Sequence, residues 1–358
     1  MNYSLIQDLD QNISTFMNGT FDMFPYADMQ PAKWGWWIKE CITPIIVLVG
    51  IIGNCLSFAV MKSRNLRKKS YSHFLCALAV FDSLTLIGRQ VTLVDEVYSH
   101  LGIGHKSVFY HFNDAACKTY NFLEHMCYLM SSWLIVCMAA ERVVAVCLPF
   151  KKTVLRTQTG AVAIIFSLFV ILSYTQVFRF IMIGSYMNTC QAMESFIQLY
   201  VNLHIYLYQF TLIFILPFLL VFVFNTMVLY QIYRVRREAS SNSRSRVVAR
   251  THKTTFMLLA ISIIYIITML PLVIISICVH IALHSGKPIM EVQQMMISIQ
   301  PWHDFVSVIS FVNYGINFFI YVVSGQSFRF ELRRMIFSKE RHSSTSGTRT
   351  REEVMKLQ

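Results

Sequence analysis

Seven long stretches of this chain of 358 residues are apolar enough to cross a lipid bilayer. A membrane-spanning helix needs about 20 predominantly apolar residues. Five stretches carry no charged side chain, and they cover residues 41–61, 157–178, 195–233, 254–286 and 305–328. Two more stretches are apolar but contain charged residues. The stretch at about residues 71–92 contains Asp82 and Arg89, and the one at about residues 116–147 contains Glu124, Glu141 and Arg142. The sequence therefore predicts an all-α fold, a bundle of seven transmembrane helices.

The composition agrees with a membrane protein. Only 14% of the residues are charged and 55% are hydrophobic, whereas a soluble globular protein carries about 25% charged residues. Such a chain has too little polar surface to cover itself in water, which excludes a soluble enzyme and a disordered scaffold. The nine cysteines lie mostly in apolar stretches, so they form neither a disulfide framework nor a CxxC metal site.

The basic residues predict the orientation in the membrane. Of the 31 lysines and arginines, 24 lie between spans 1 and 2, at and after the end of span 3, between spans 5 and 6, or after span 7. The positive-inside rule assigns these segments to the cytoplasm and the N-terminus to the outside. Because the excess charge lies along the inner membrane face, we expect a lipid bilayer and no nucleic acid as its partner. Glycosylation sequons at Asn2, Asn12 and Asn18 agree with an extracellular N-terminus.

The chain divides into one bundle with two tails. We predict an extracellular N-terminal tail at residues 1–40 and the seven-transmembrane bundle at residues 41–325. Residues 326–337 alternate apolar and basic side chains at helical spacing, which predicts an amphipathic helix on the inner leaflet. Residues 338–358 contain a run of serines and threonines and are predicted to be a disordered cytoplasmic tail.

Six of the seven spans each contain a short motif, and the motifs follow one another along the chain in the order known from one receptor family. On these motifs the chain resembles the rhodopsin-like (class A) G-protein-coupled receptors, from span 1 to the amphipathic helix. The sequence of spans 5 to 7 is similar to that of invertebrate neuropeptide receptors of the FMRFamide-receptor kind. The motifs are Gly53-Asn54, Leu78-Ala79-Val80-Phe81-Asp82, Glu141-Arg142-Val143, Pro217, Pro271 and Asn317-Phe318-Phe319-Ile320-Tyr321.

The resemblance implies a plasma-membrane receptor that is not itself an enzyme. Such a receptor binds an extracellular neuropeptide and activates a heterotrimeric G protein, and its Ser/Thr-rich tail is a target for a receptor kinase and arrestin. The resemblance also implies a disulfide between Cys117 and Cys190, tying the loop after span 4 to span 3. Cys41 and Cys278 also fall near outer span ends, and the sequence leaves open whether they are bonded.

The cytoplasmic switch is expected in spans 3 and 7. By resemblance, Arg142 is held by Glu141 in the resting receptor and meets the G protein in the active one. Asn317 and Tyr321 rearrange on activation. Phe318 stands where the family has a proline, so we expect span 7 to lack the proline kink.

A buried carboxylate in span 2 indicates an allosteric ion site. Asp82 lies near mid-membrane, where an unpartnered charge is expensive. The resemblance extends a sodium site to Asp82, Ser131, Asn313 and Asn317. The alternative is a purely structural hydrogen-bonded network that includes Asn54. No other cofactor is expected.

Polar and ionisable residues in the outer half of the bundle predict the ligand pocket, because intramembrane charges face a cavity or each other. Arg89 and Glu124 either pair, or Arg89 binds a carbonyl, carboxylate or amide terminus while Glu124 binds a cationic group. Each of the other candidates could equally serve packing. They are His125, Tyr128, Arg179, Tyr206, Gln209, Trp302 and His303.

Two other functions remain open from the sequence. The nearer is a receptor of the same fold for a small amine or an environmental chemical. The more distant is a seven-helix transporter or channel, which lacks support because no continuous set of polar residues crosses the predicted bundle.

Overall fold

The computed structural model describes residues 33–100, 113–148, 153–186, 189–239, 245–283 and 287–337. The three predicted glycosylation sites and the Ser/Thr-rich tail lie outside the described residues.

Each of the first four spans is formed by a long helix. These are α1 (Trp34–Met61), α2 (Ser70–His100), α3 (Asp114–Cys147) and α4 (Gln158–Thr175). Side chains cap two of them: Asn113 accepts a hydrogen bond from the Ala116 N–H at 2.8 Å, and Thr157 accepts one from the Gly160 N–H at 3.0 Å. Such caps satisfy backbone donors that the first turn leaves free.

After α4 the chain makes a turn and forms the short helix α5 (Phe178–Met182), followed by strands β1 (Ile183–Tyr186) and β2 (Thr189–Ala192). The strands pair antiparallel, with Ser185 opposite Cys190. A disulfide joins Cys190 to Cys117 near the start of α3, as predicted. Within the described ranges this hairpin is the only sheet. The end near Cys117 is called the outer end of the bundle below, and the end near Arg142 the cytoplasmic end.

The fifth span is irregular. It runs through α6 (Ile197–Asn202), a π-helix (Leu203–Ile215) and α7 (Leu216–Ala239). The sixth span is α8 (Ser245–Leu283), and the seventh consists of α9 (Ile289–Gly315) and α10 (Asn317–Ser324). A last helix, α11, covers residues 326–337.

The prediction of an all-α, seven-transmembrane bundle is confirmed. Among the described residues, six helical segments are long and apolar enough to cross a membrane, and α9 with α10 makes the seventh if the bent pair counts as one span. Many large apolar side chains on the outward faces remain exposed, including Phe166 and Ile171 of α4. This surface is suited to lipid, not to water.

Helices α1 and α9 approach so closely that glycine is required between them. A Cβ atom added at Gly35 would lie 2.2 Å from the carbonyl oxygen of Pro301, and one at Gly50 would lie 2.9 Å from the Cα of Gly315. The close contact brings the outer end of α1 against α9 and positions side chains of both helices for the site described below.

Span 7 is bent although Phe318 stands in place of the proline. The axes of α9 and α10 differ by 53°. The Ile316 N–H closes α9 by donating to the Val312 carbonyl at 2.9 Å, and the Ile316 carbonyl accepts from Phe319 at 3.0 Å as α10 begins. A tight turn at Ile316, beside the closely packed Gly315, therefore bends the span without a proline.

Candidate functional site

A buried ion cluster joins α1, α2 and α9 at the outer end. Lys39 forms an ion pair with Glu96 and lies 3.4 Å from an Asp304 oxygen. Arg89 lies 3.2 Å from the other Glu96 oxygen and packs over the Phe311 ring at 5.0 Å. We call Lys39, Arg89, Glu96 and Asp304 the outer ion cluster. Its charges balance, two against two.

The outer ion cluster corrects one interpretation of the sequence. The carboxylate partner of Arg89 is Glu96, farther along the same helix α2, and not Glu124. The sequence left open whether Arg89 pairs with Glu124. In the described part of the chain Arg89 pairs with Glu96 instead. Since Arg89 is already paired, it is a poorer anchor for a ligand than the sequence suggested.

Glu124 on α3 is left without a direct ion pair. Its carboxylate accepts a hydrogen bond from the Thr92 hydroxyl at 3.3 Å. The Thr92 hydroxyl also lies 3.0 Å from that of Tyr120, which donates to the Gly88 carbonyl at 2.9 Å. Of the residues that the structure describes, none of the basic ones forms a salt bridge with Glu124. A partly buried carboxylate without a cation favours a positively charged ligand group.

Arg179, which was expected on helix 4, lies in α5, and among the described residues it is the largest fully buried side chain. Its guanidinium donates to Gln176 at 2.9 Å, Asn121 at 3.1 Å and the Tyr200 hydroxyl at 3.0 Å, and lies 2.9 Å from His204 Nδ1. Three rings also face it, with centroids 4.5 to 5.8 Å away. The surrounding residues are called the Arg179 cage: Phe178, Gln176, Asn121, Tyr200, His204 and Tyr208.

Every described partner of Arg179 is neutral. Hydrogen bonds and ring faces stabilise the cation, but no carboxylate of the described residues forms an ion pair with it. The Arg179 cage therefore leaves a net positive charge between the outer ends of α3, α5 and the fifth span. Asn121, which accepts from Arg179, lies three residues before Glu124 on α3, so the two side chains belong to the same region of the bundle.

His125 and Tyr128 on α3 lie next to the cage. The His125 ring centroid is 5.0 Å from that of Tyr208, and the Tyr208 hydroxyl donates to the His125 carbonyl at 3.1 Å. Tyr128 meets Tyr314 of α9 edge to face at 5.7 Å. Gln209, on the π-helix, has a buried Oε1 without a hydrogen-bond partner in the described part of the chain. His125 and Tyr128 therefore lie beside the Arg179 cage, and Gln209 follows Tyr208 of the cage along the π-helix.

The structure separates the other predicted pocket residues from the cage. Tyr206 is 43% exposed, and its hydroxyl lies 3.0 Å from His280 on α8. Trp302 is 57% exposed and packs edge to face on Trp34 at 5.1 Å. His303 is partly buried beside the outer ion cluster. Tyr206 and Trp302 therefore contact neighbouring helices on the outside of the bundle.

Asp82 sits at the centre of a polar network. It is 0% exposed, and its two oxygens accept hydrogen bonds from Ser131 at 2.5 Å and from the Asn317 amide at 2.7 Å. Asn54 donates to the Tyr314 carbonyl at 3.0 Å and not to Asp82. Both described partners of this buried carboxylate are neutral, and oxygen-bearing side chains surround it. The donor set therefore fits a hard cation such as sodium.

At the cytoplasmic end, Arg142 is held by its neighbour. Its Nε donates to Glu141 at 2.6 Å, and its guanidinium packs over the Tyr71 ring at 5.2 Å. The other Glu141 oxygen accepts from Ser70 at 3.0 Å. Tyr321 of α10 is buried against Phe328 of α11, with ring centroids 5.4 Å apart. Arg142 and Glu141 are therefore paired directly in this structure.

A link between spans 3, 5 and 6 was not predicted. The Leu216 N–H donates to the Thr211 carbonyl five residues earlier, and Pro217 has no N–H for the next carbonyls. Trp133 of α3 donates to the Leu212 carbonyl at 2.9 Å, and Tyr265 of α8 donates to the Ile213 carbonyl at 2.7 Å. Pro217 was the only available signal, because Trp133 and Tyr265 resemble ordinary core residues in sequence.

The fold places the chain among membrane proteins with seven spanning helices. A family model described as "7 transmembrane receptor (rhodopsin family)" matches residues 53–321, more than half of the chain. The chain belongs to this family.

Individual relatives match over shorter stretches. Neurotensin receptor type 1 of Homo sapiens is 29% identical over 117 residues, which is 32% of this chain and 27% of that protein. Neuropeptide receptor 18 of Caenorhabditis elegans is 27% identical over 120 residues, covering 32% and 23%. FMRFamide peptide receptor frpr-18 of the same organism is 30% identical over 129 residues, covering 33% and 27%. The chain thus aligns with about a quarter of the length of these relatives.

Proposed function

We propose that this chain is a plasma-membrane receptor with an extracellular N-terminus that binds a peptide and activates a heterotrimeric G protein. One observation carries the choice of ligand: Glu124 and Arg179 lie in one outer region, and neither has a described ion-pair partner. A peptide with a basic side chain and a polar or acidic group complements both. A small amine complements only Glu124. The neuropeptide and neurotensin receptors among the relatives agree with a peptide ligand.

The proposed signal is a shift between two states of the bundle. A ligand that binds the active state more tightly raises the population of that state. In the resting state Arg142 is engaged by Glu141. In the active state Arg142 is released and contacts the G protein, which then exchanges its nucleotide, while the receptor itself performs no chemistry.

Two further partners complete the proposal. A sodium ion would be held by Asp82, Ser131, Asn313 and Asn317, and it would supply the positive charge that the buried carboxylate lacks. A receptor kinase and arrestin would act on the Ser/Thr-rich tail after activation.

The experiment that tests the proposed ligand class compares peptides with amines. Cells expressing the full chain with a promiscuous G protein are exposed to a peptide library and, separately, to a panel of small amines. We expect responses to peptides that contain a basic residue, and we expect Glu124→Gln to abolish them while surface expression is maintained. A receptor that responds to amines and to no peptide would instead be a small-amine receptor. A ligand-gated current without any G protein would indicate a channel.

A further inference from the structure

The first turn of α2 contacts both members of the Glu141–Arg142 pair. The Ser70 hydroxyl donates to one Glu141 oxygen at 3.0 Å, and the other Glu141 oxygen accepts from Arg142 Nε at 2.6 Å. The guanidinium carbon of Arg142 lies over the face of the Tyr71 ring, 5.2 Å from the ring centroid. Two adjacent residues of α2 thus hold the carboxylate and the cation by different interactions.

Arg142 is almost completely removed from water. Its exposed fraction is 6%, and that of Glu141 is 2%. The attraction between a cation and the face of an aromatic ring is stronger when the cation is desolvated. The contact with Tyr71 therefore stabilises Arg142 more than a similar contact on the protein surface would.

The Tyr71 ring ties Arg142 to a second helix. Within the described ranges, the hydrogen bonds of Arg142 go to Glu141 alone, and no side chain of the sixth span forms an ion pair with it. Because Glu141 precedes Arg142 on α3, their pairing does not by itself join α3 to another helix. Among the described contacts of the Arg142 guanidinium, the one with Tyr71 comes from a different helix.

We propose that Tyr71 is a positioning residue of the cytoplasmic switch, an inference that rests on the proposed receptor function and deepens it. The face of the Tyr71 ring holds Arg142 in the resting state, while Ser70 keeps the Glu141 carboxylate in place beside it. Arg142 leaves the ring when it turns to the G protein, so the contact stabilises the resting state alone. Removing the ring raises the population of the active state without any ligand.

Basal nucleotide exchange tests the role of the ring. Membranes with equal densities of wild-type or variant receptor are mixed with each main class of purified heterotrimeric G protein, and binding of a labelled GTP analogue is measured without any peptide. Tyr71→Leu keeps an apolar side chain but removes the ring, so we expect basal exchange to rise at least about threefold. Tyr71→Phe keeps the ring face and breaks no described hydrogen bond, so it should restore exchange to near the wild-type rate.

Two control variants accompany them. Tyr174→Leu makes the same substitution at an exposed position of α4 and should match the wild type. Glu141→Ala removes the Arg142 partner that the proposed function names, so it should raise basal exchange.

Unfolding temperatures measure the contact itself. A merely structural role of Tyr71 would lower the unfolding temperature of Tyr71→Leu and leave basal exchange per receptor unchanged. If the ring acts through Arg142, Tyr71→Leu should lower the unfolding temperature less in an Arg142→Ala background than in the wild type, because the partner of the ring is already absent there. Equal falls in the two backgrounds would overturn the proposed contact.

The outcomes separate this inference from the proposed function. Raised exchange in Tyr71→Leu, but not in Tyr71→Phe or Tyr174→Leu, supports the role of the ring. Equal rises in Tyr71→Leu and Tyr71→Phe overturn it. Wild-type exchange in Tyr71→Leu together with raised exchange in Glu141→Ala overturns the role of Tyr71 and leaves the proposed function intact. No rise in Tyr71→Leu or in Glu141→Ala with any G protein overturns the Tyr71 role and the proposed switch together.

Discussion

The hydroxyl of Tyr265 gives a direct test of how spans 5 and 6 are held together. In a regular helix the Ile213 carbonyl would accept from residue 217, which is a proline here. Tyr265 supplies that donor at 2.7 Å from within the core. Tyr265→Phe leaves the ring packing unchanged and removes only the hydrogen bond. Leaving a buried acceptor unsatisfied costs about 1–3 kcal/mol.

We expect the lower end of that range, about 1 kcal/mol, because the substitution also removes the cost of burying the hydroxyl. This corresponds to a fall of about 2 °C in the apparent unfolding temperature. The measurement is thermal unfolding of the purified receptor in detergent at a fixed scan rate, since unfolding of such proteins is often irreversible. Tyr174→Phe is the control, because Tyr174 is 81% exposed on α4. Equal unfolding temperatures for Tyr265→Phe and the wild type would refute the reasoning.

Three further perturbations test other parts of the structure. Glu96→Gln leaves both cations of the outer ion cluster facing one carboxylate, and breaking a buried pair costs about 3–5 kcal/mol, so receptor yield and unfolding temperature should fall. Glu291→Gln, which removes an exposed pair, should change neither, and similar losses in both variants would count against the cluster. Cys190→Ser should lower ligand affinity and stability by releasing the hairpin from α3, whereas Cys278→Ser, at a free cysteine, should match the wild type. Replacing KCl by NaCl at constant ionic strength should raise the unfolding temperature of the wild type but not of Asp82→Asn, and an equal rise in both would exclude Asp82 from the ion site.

The sequence predicts the bundle well because lipid imposes a strong constraint on it. Every backbone polar group in the bilayer must be satisfied within a helix, so an uncharged stretch of sufficient length predicts a span. The ends of spans are less certain. Span 4 was expected to reach Phe178, but α4 ends at Thr175 and Arg179 belongs to a separate short helix. Neighbouring residues there are equally apolar, so no local signal marks the turn.

Contacts between distant residues account for what the sequence did not predict. Lys39 lies before the first predicted span and Glu96 after the second, so neither was a pocket candidate, yet their pairing decides the partner of Arg89. The neutral partners of Arg179 come from α3, from Gln176 just after α4 and from the fifth span. Helical periodicity gives the face on which a residue lies, but not which helix it meets.

The bend in span 7 illustrates the same limit. Proline is one cause of a kink, and its replacement by Phe318 predicted only that the proline kink is absent. The bend instead accompanies a turn at Ile316 beside the close approach of Gly315 to Gly50. That approach depends on the packing of two helices far apart in sequence, which a single motif does not reveal.

The central claim is that binding in the outer region is transmitted to Arg142 at the cytoplasmic end. The most direct test uses membranes containing either the wild type or Arg142→Ala at equal receptor density. Binding of an active peptide and nucleotide exchange by the added G protein are measured in the same preparation. We expect Arg142→Ala to retain peptide binding and to lose peptide-stimulated exchange. Exchange that persists at the wild-type level would contradict the account.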